Sequence, residues 1–516
     1  MTLSIPVREP ADFRFTVRQS NWQGGYNRLY YQIINALTEP RFWDSFNIDT
    51  SRDGDFSLAP LFEIVQTDAS DKKPLLRSFN SSLYRLEGVS TPAVQKTSDG
   101  TTWNTVSMTS GPTTAIRGAV VWRNNLVVAA NSNTIYNLDS SDTWTSLTAP
   151  TGITEVCDMV GISPDDRLLA WFNGKGLYQT EVQAPAAGDW DKVWPAVGDP
   201  DEAQCDLIDG STGTGIIATS DAKGSSLHEY FTAEGAATAA SMVTWIHEDD
   251  TFFYVSKFYS SASYLGSKKG QGGGRETNGQ GLLWRKERGA KPILVQEIGD
   301  GIRGAVASDD FGIKALVNDG TNLWVGAPSR AENFSDVKGI PCVYWYNVDQ
   351  QGVESISPNS ALDVSPGNVA GPVYDAAIIN GEVVITTGTG TWKRSKTKYS
   401  SQGKLDSSLY DLRSPDHEKA WRFTELLVED ATSTETVTFY YRIGTLAGSW
   451  LGGTAVTASG AHKIVFPDDN ASQAEYKLNA RQLQTQIKLA RGATETLSPR
   501  VTSLAADAAQ IRAVGS

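Results

Sequence analysis

Seven times along the chain a short polar turn runs into a strand-like end whose last residue is aromatic in six copies, and this recurrence constrains the fold more than any other feature. The copies end at Tyr84, Tyr136, Tyr178, His228, Trp284, Trp324 and Trp392, so successive ends lie 40 to 68 residues apart. They include Asn80-Ser81-Ser82-Leu83-Tyr84, Gly320-Thr321-Asn322-Leu323-Trp324 and Thr389-Gly390-Thr391-Trp392. A repeat of roughly 40 to 50 residues made of strands and turns is the mark of a β-propeller, with one four-stranded sheet per repeat. Such a sheet cannot bury its apolar surface alone, so several must stack and close a ring. The expectation is an all-β chain with a seven-bladed β-propeller, its seven marker residues at equivalent strand positions.

Residues around the markers read as hairpins. Ala119-Val120-Val121-Trp122 precedes Leu126-Val127-Val128-Ala129-Ala130, and Ala377-Ile378-Ile379 precedes Val383-Val384-Ile385. Between them stand Arg123-Asn124-Asn125 and Asn380-Gly381, residues that accept the positive φ of a tight turn. The pentapeptide Ile-Arg-Gly-Ala-Val occurs twice, at 116–120 and 302–306. It sets Arg117 and Arg303 in nearly the same phase ahead of Tyr136 and Trp324, as a structural repeat would.

At 516 residues the chain is long enough for two to four domains. Its formal charge is −14, from 45 basic and 59 acidic residues, which repels polyanions and argues against nucleic acid or anionic lipid as a partner. The short basic run Arg394-Ser395-Lys396-Thr397-Lys398 reads as a solvated loop. Three widely spaced cysteines, Cys157, Cys205 and Cys342, fit neither a disulfide framework nor a zinc pattern. The opening residues carry no apolar signal region, and no apolar run approaches 18 residues, so neither export by a leader nor membrane insertion is expected.

Three regions follow. Residues 1–74, rich in aromatics but without the repeat, read as an irregular docking segment that either packs on another chain or adds a strand to the last blade. Residues 75–412 carry the propeller. From 413 to 516 the pattern becomes strict alternation: Val437, Phe439 and Tyr441 against Thr436, Thr438 and Tyr440, and Leu483, Thr485, Ile487 and Leu489 against Gln482, Gln484, Gln486 and Lys488. One buried and one wet face over about 100 residues predict an antiparallel β-sandwich of immunoglobulin-like or carbohydrate-binding type.

The stretches Leu405-Asp406-Ser407-Ser408-Leu409-Tyr410-Asp411-Leu412, Lys419-Ala420-Trp421-Arg422, Val437-Thr438-Phe439-Tyr440-Tyr441-Arg442 and Leu497-Ser498-Pro499-Arg500-Val501 together resemble the C-terminal half of propeller-bearing structural proteins of tailed bacteriophages. Trp22-Gln23-Gly24-Gly25 and Asn47-Ile48-Asp49 are similar to their N-terminal segments. The resemblance implies a virion component of the tail, tail tip or fibre. Such a protein would assemble in several copies with other virion proteins and could touch host-surface glycans.

Catalytic signatures are sparse. Ser98-Asp99-Gly100-Thr101-Thr102-Trp103 looks like a shortened aspartate box of sialidase-type propellers, with echoes at Ser141-Asp142-Thr143-Trp144 and Gly188-Asp189-Trp190. In that family the box is a turn on the blade's outer edge, so it argues for architecture rather than hydrolysis. A sialidase would also need several arginines around a carboxylate, and Arg117 and Arg303 read better as repeat positions. The four histidines, His228, His247, His417 and His462, form no metal-binding pair. Asp49-Thr50-Ser51-Arg52-Asp53-Gly54-Asp55 imitates the start of a calcium loop, but Pro60 stands where the bidentate Glu belongs. Gly210-Ser211-Thr212-Gly213-Thr214-Gly215 lacks a phosphate-binding Lys. No cofactor, metal or catalytic residue is expected. The candidate binding residues are Trp450 and Tyr476, as an aromatic glycan platform on the terminal sandwich. The rival reading is a propeller glycosidase acting on host polysaccharide, and a third is a head-attached decoration or fibre protein.

Overall fold

The computed structural model describes residues 14–20, 22, 25–26, 41–70, 72–162, 166–192, 203–208, 214–221, 224–231, 241–247, 251–257, 263–270, 281–287, 293–298, 315–318, 323–328, 341–347, 352–356, 373–410, 418–443, 448–466 and 478–510. Every helix or strand among them is a strand, so the fold is all-β. The chain separates into two compact units. One holds residues 62–346 and 357–396, and the other holds 1–61, 347–356 and 397–516. Both are discontinuous, whereas the division expected from the sequence was sequential at 74/75 and 412/413.

Seven four-stranded antiparallel sheets follow one another in a propeller-like series. Six are built from consecutive strands within 75–105, 116–147, 157–192, 203–247, 251–298 and 315–356. The seventh is composite: Asp375–Ile379, Glu382–Thr387 and Gly390–Tyr399 are completed by Pro60–Thr67 from the other end of the sequence. The first strand of each sheet neighbours that of the next, and the last neighbours the first.

Local chemistry explains the hairpins. Asn80 and Ser81 (φ 47° and 58°), Arg123 and Asn124 (44° and 60°) and Asn380 and Gly381 (53° and 73°) each turn the chain with two positive φ angles. That geometry matches the right-handed twist of the flanking strands. The Asn125–Ala130 strand is buried at every residue because both its faces meet a neighbouring sheet. Leu126 and Val128 pack with Tyr84, Leu86 and Val94 of the first sheet, while Val127 and Ala129 pack with Leu168, Ala170 and Phe172 of the third. The core therefore lies between sheets rather than inside any one of them.

The same logic, with more polar chemistry, operates where the seventh sheet meets the first. Leu76 and Leu83 pack on Ala377, Ile379 and Val384, with Trp103 against them. Asp375 accepts from the Leu76 amide (2.9 Å) and pairs with Arg77 (2.6 Å). Arg85, without exposed surface, donates to Thr391 Oγ1 at 3.0 Å, to Glu87 and Gln95 at 3.1 Å, and to Asp68. Burial lifts the Asp68 carboxyl above its usual range although Arg85 pulls it down. The Asp68 amide donates to the Thr389 carbonyl at 2.9 Å. Next to it, a Cβ on Gly390 (φ 153°) would fall 2.0 Å from the Gln66 carbonyl oxygen, so only glycine lets the two chains approach.

The second unit contains two sheets. In the six-stranded sheet the order is Gly25–Tyr26, Arg41–Phe46, Gln402–Ser407, Leu483–Ala490, Thr436–Ile443, Leu451–Val456. The seven-stranded sheet runs Gly460–Val465, Lys419–Glu429, Arg500–Gln510, Phe56–Leu58, Ile48–Asp49, with Arg14–Gln19 on Arg500–Gln510 and Leu478–Ala480 on Lys419–Glu429. The segment expected as an irregular docking arm thus supplies strands to both. Phe439 and Tyr441 of the six-stranded sheet meet Phe466, which follows Gly460–Val465, with ring centroids 6.3 and 4.9 Å apart. Leu29, Ile33 and Leu37, whose spacing in the sequence predicts a short helix, lie outside the described residues.

Candidate functional site

The seven markers do not share one strand position. Tyr136, Tyr178, His228, Trp284 and Trp392 lie on the third strand of their sheets, whereas Tyr84 and Trp324 lie on the second. A polar turn leading into an apolar-aromatic pair describes any inner hairpin, so the pattern caught the first hairpin in two sheets and the second hairpin in five. Among the described side chains, Tyr84, Tyr136, Tyr178, Trp324 and Trp392 serve packing. Tyr84 donates to Asp142 Oδ1 of the next sheet at 2.7 Å, and the Arg394 guanidinium lies 5.0 Å from the Trp324 ring centroid. Arg394, Lys396 and Lys398, expected in a solvated loop, belong to the Gly390–Tyr399 strand. Glu382 takes Lys393 and Lys396.

The aspartate-box-like turn joins the third and fourth strands of the first sheet. Asp99 Oδ1 accepts from the Thr102 and Thr101 amides and from Thr97 Oγ1, all at 2.8 Å, and those amides hold its carboxyl well below the usual carboxylate range. The Gly100 amide donates to Thr97 Oγ1 at 2.9 Å, while Ser98 offers its carbonyl to Asn380 at 3.1 Å. In the echoes the tryptophan bonds backward: Trp144 Nε1 donates to Ser107 O (2.9 Å) and Trp190 Nε1 to Thr148 O (2.8 Å). Trp103 is the matching residue of the first sheet, and its buried Nε1 has no partner among the described residues. The carboxylates are taken up locally: Asp99 and Asp189 accept from turn amides, while Asp142 takes Tyr84 and Lys96 of the preceding sheet.

Arg117 is exposed and donates to Asn131 Oδ1 at 3.2 Å, while Arg303 and the side chains of Cys205, His228 and His247 lie outside what the structure describes. Cys157 and Cys342 are buried and form no disulfide. In the calcium-like loop Asp49 accepts from the Ser51 amide at 2.9 Å and Asp55 pairs with Arg500 at 3.1 Å. Among the described residues no group of three or more His, Cys, Asp or Glu is placed to hold a metal ion, and no helix is long and apolar enough to cross a membrane.

The arrangement richest in binding chemistry is the outer face of the six-stranded sheet. Register sets Asp44, Asp406, Gln486, Tyr440 and Gly452 in one row across five strands, because Asp44 pairs with Asp406, Asp406 and Tyr440 with Gln486, and Tyr440 with Gly452. Beside it lie Lys404, Lys488 and Thr438 on one side, and Gln484 and Arg442 on the other. Gln486 donates to Asp406 Oδ1 at 2.8 Å, Arg442 Nε to Gln484 Oε1 at 2.6 Å, and Gln484 to Ser407 O at 2.7 Å. This face was expected to be wet, yet Gln484 and Gln486 are buried, and their pairing with carboxylate, guanidinium and carbonyl compensates the lost water. Asp406 keeps some exposed surface but is closely surrounded. Burial pushes its carboxyl up to about 6, opposed by Lys404 and reinforced by Asp44 across the strand pair.

Trp450 stands at the edge of this face, half-buried, with the Arg442 guanidinium 4.3 Å from its ring centroid. Lys488 lies 4.7 Å from the Tyr440 ring centroid. Tyr476 lies outside the described residues. Sequence reasoning found Trp450 but missed Asp44, Asp406, Gln484, Gln486, Tyr440, Arg442 and Lys488 as a group. The alternation that marked Gln484, Gln486 and Tyr440 as one face was visible; the order of strands that makes the face continuous was not.

No family model matches the chain and no curated protein matches it. Solved structures with similar folds include YCF48, at 12% identity over 64% of this chain and 94% of that one, TM-score 0.43. An ancestral GH74 enzyme is 10% identical over 69% of this chain and 51% of that one, TM-score 0.45. A catalytically inactive virginiamycin B lyase from Staphylococcus aureus is 8% identical over 64% and 98%, TM-score 0.44.

Proposed function

We propose that the chain is a non-catalytic structural component of a tailed-phage virion. In this reading the seven sheets form a closed seven-bladed propeller, and the two-sheet unit is a β-sandwich that faces partner proteins or the host surface. The observation that carries it is the completion of the seventh sheet by Pro60–Thr67 beside the buried Arg85 network. A ring fastened by its own distant end cannot open without breaking a full strand, which suits a rigid element that must hold its form under assembly and adsorption. The phage resemblance supplies the context, with other copies and other virion proteins as partners and the virion as location. Mass spectrometry and subtomogram averaging of purified particles test it: the protein should appear at stoichiometric, symmetric copy number, and its absence from intact particles would overturn the reading.

A second reading, a glycosidase or depolymerase, draws on one observation. Asp44 and Asp406 stand opposite each other across a strand pair, and one of them holds its proton to about pH 6. A carboxyl raised in this way beside a second carboxyl belongs to the chemistry of acid-assisted glycoside cleavage. Release of reducing ends from host polysaccharide by the purified protein, lost in Asp406→Asn, would establish it.

A further inference from the structure

We propose that the outer face of the six-stranded sheet is a saccharide-binding site, with the partly exposed Trp450 and Tyr440 as its aromatic end and the partly exposed Asp406 and Arg442, held by the buried Gln486 and Gln484, as its polar end. This rests on the host-attachment reading above and names the class of ligand. A pyranose offers an apolar ring face, which stacks on an aromatic side chain, and a rim of hydroxyls, each both donor and acceptor. The row supplies complements to both within a few strands. Its amides, carboxylate and guanidinium are already oriented by one another, at 2.8 Å from Gln486 to Asp406 and 2.6 Å from Arg442 to Gln484. Pre-oriented groups lose little freedom when a ligand arrives.

The aromatic end is likewise held in place. Arg442 and Lys488 lie over the rings of Trp450 and Tyr440, fixing the planes of two partly exposed side chains. The neighbouring edge strand, Leu451–Val456, is exposed for five of its six residues. Where it meets Tyr440 it carries Gly452 and Gly453, both at positive φ, so no side chain closes that end of the row. Charge narrows the class further. Lys404, Lys488 and Arg442 stand among Asp44 and Asp406, a near balance that favours a neutral saccharide over a polyanion.

The test uses the full chain on a printed panel of neutral hexose oligosaccharides, glucans, galactans and mannans of four to six units, followed by calorimetric titration of the best binder. Binding to at least one of them is expected. Trp450→Ala and Asp406→Asn should each weaken it tenfold or more in protein that still unfolds cooperatively, while Trp450→Phe, which keeps a stacking ring, should restore most of it. Absence of binding across the panel, or wild-type affinity in both Trp450→Ala and Asp406→Asn, would overturn the proposal. Either result would leave the virion reading to be decided by particle composition.

Discussion

The ring of sheets and the two-sheet unit are made of the same kind of strand but assembled by opposite rules. Six of the seven sheets are closed by hairpins between consecutive strands, as in Ile116–Trp122 with Asn125–Ala130. The two-sheet unit pairs strands from the two ends of the chain, as in Arg14–Gln19 with Arg500–Gln510 and Arg41–Phe46 with Gln402–Ser407. Long-range pairing must meet its loop-closure entropy before any contact rewards it. The ring can therefore form sheet by sheet, whereas the second unit and the seventh sheet wait for the N-terminal strands to return.

That contrast is broken most severely by removing residues 1–67. The seventh sheet then loses its fourth strand, and both sheets of the second unit lose strands. The expected result is loss of cooperative unfolding by calorimetry, and a truncated protein that melts like the full chain would erase the distinction.

Next in size is Arg85→Met at the ring's closure. It strands the buried carboxyl of Asp68 and leaves Glu87 with Lys72 and the Ala93 amide, and breaking one side of a buried ion pair costs about 3–5 kcal/mol. Denaturant titration should show that loss, against no more than about 1 kcal/mol for Arg123→Met, whose partner Asp166 is exposed.

A smaller effect compares repeat interfaces directly. Trp144→Phe removes an indole bond to the preceding sheet, while Trp103→Phe removes a ring of the same size whose Nε1 has no partner. The difference between the two variants should be about 1 kcal/mol in favour of Trp103→Phe. Equal losses would mean that packing alone ties the sheets.

The last effect is confined to the slope of the pH–stability curve and belongs to Asp406. Its carboxyl sits near 6 in the fold against an ordinary value of 3.8, so the folded state holds the proton more tightly than the unfolded chain. The stability from this group is complete below about pH 4 and is lost as pH rises through 6. Asp406→Asn should flatten that part of the pH–stability curve, and an unchanged slope between pH 4 and 7 would place the carboxyl at an ordinary value.

What the sequence made legible follows the same divide. Arg123-Asn124 and Asn380-Gly381 announce their hairpins because positive φ and flanking β-branched runs are local properties. The markers were readable as turns but not as positions, since Tyr84 and Trp324 satisfy the same pattern one strand earlier. Pro60–Thr67 carries nothing local to say that its partner is Gly390–Tyr399. The Gly390 requirement appears only when the Gln66 carbonyl is seen beside it. The candidate site was half legible for the same reason: alternation showed Gln486 and Tyr440 on one face, but only strand order brings in Asp406 and Asp44 from strands far apart in sequence.

The claim that the N-terminal strand completes the seventh sheet is tested most directly by hydrogen exchange with mass spectrometry on the intact protein. Peptides covering 60–68 should exchange as slowly as those covering 390–396, with the Asp68 amide protected by its bond to Thr389. Exchange of 60–68 at the rate of an unpaired segment, while 375–396 stays protected, would contradict it.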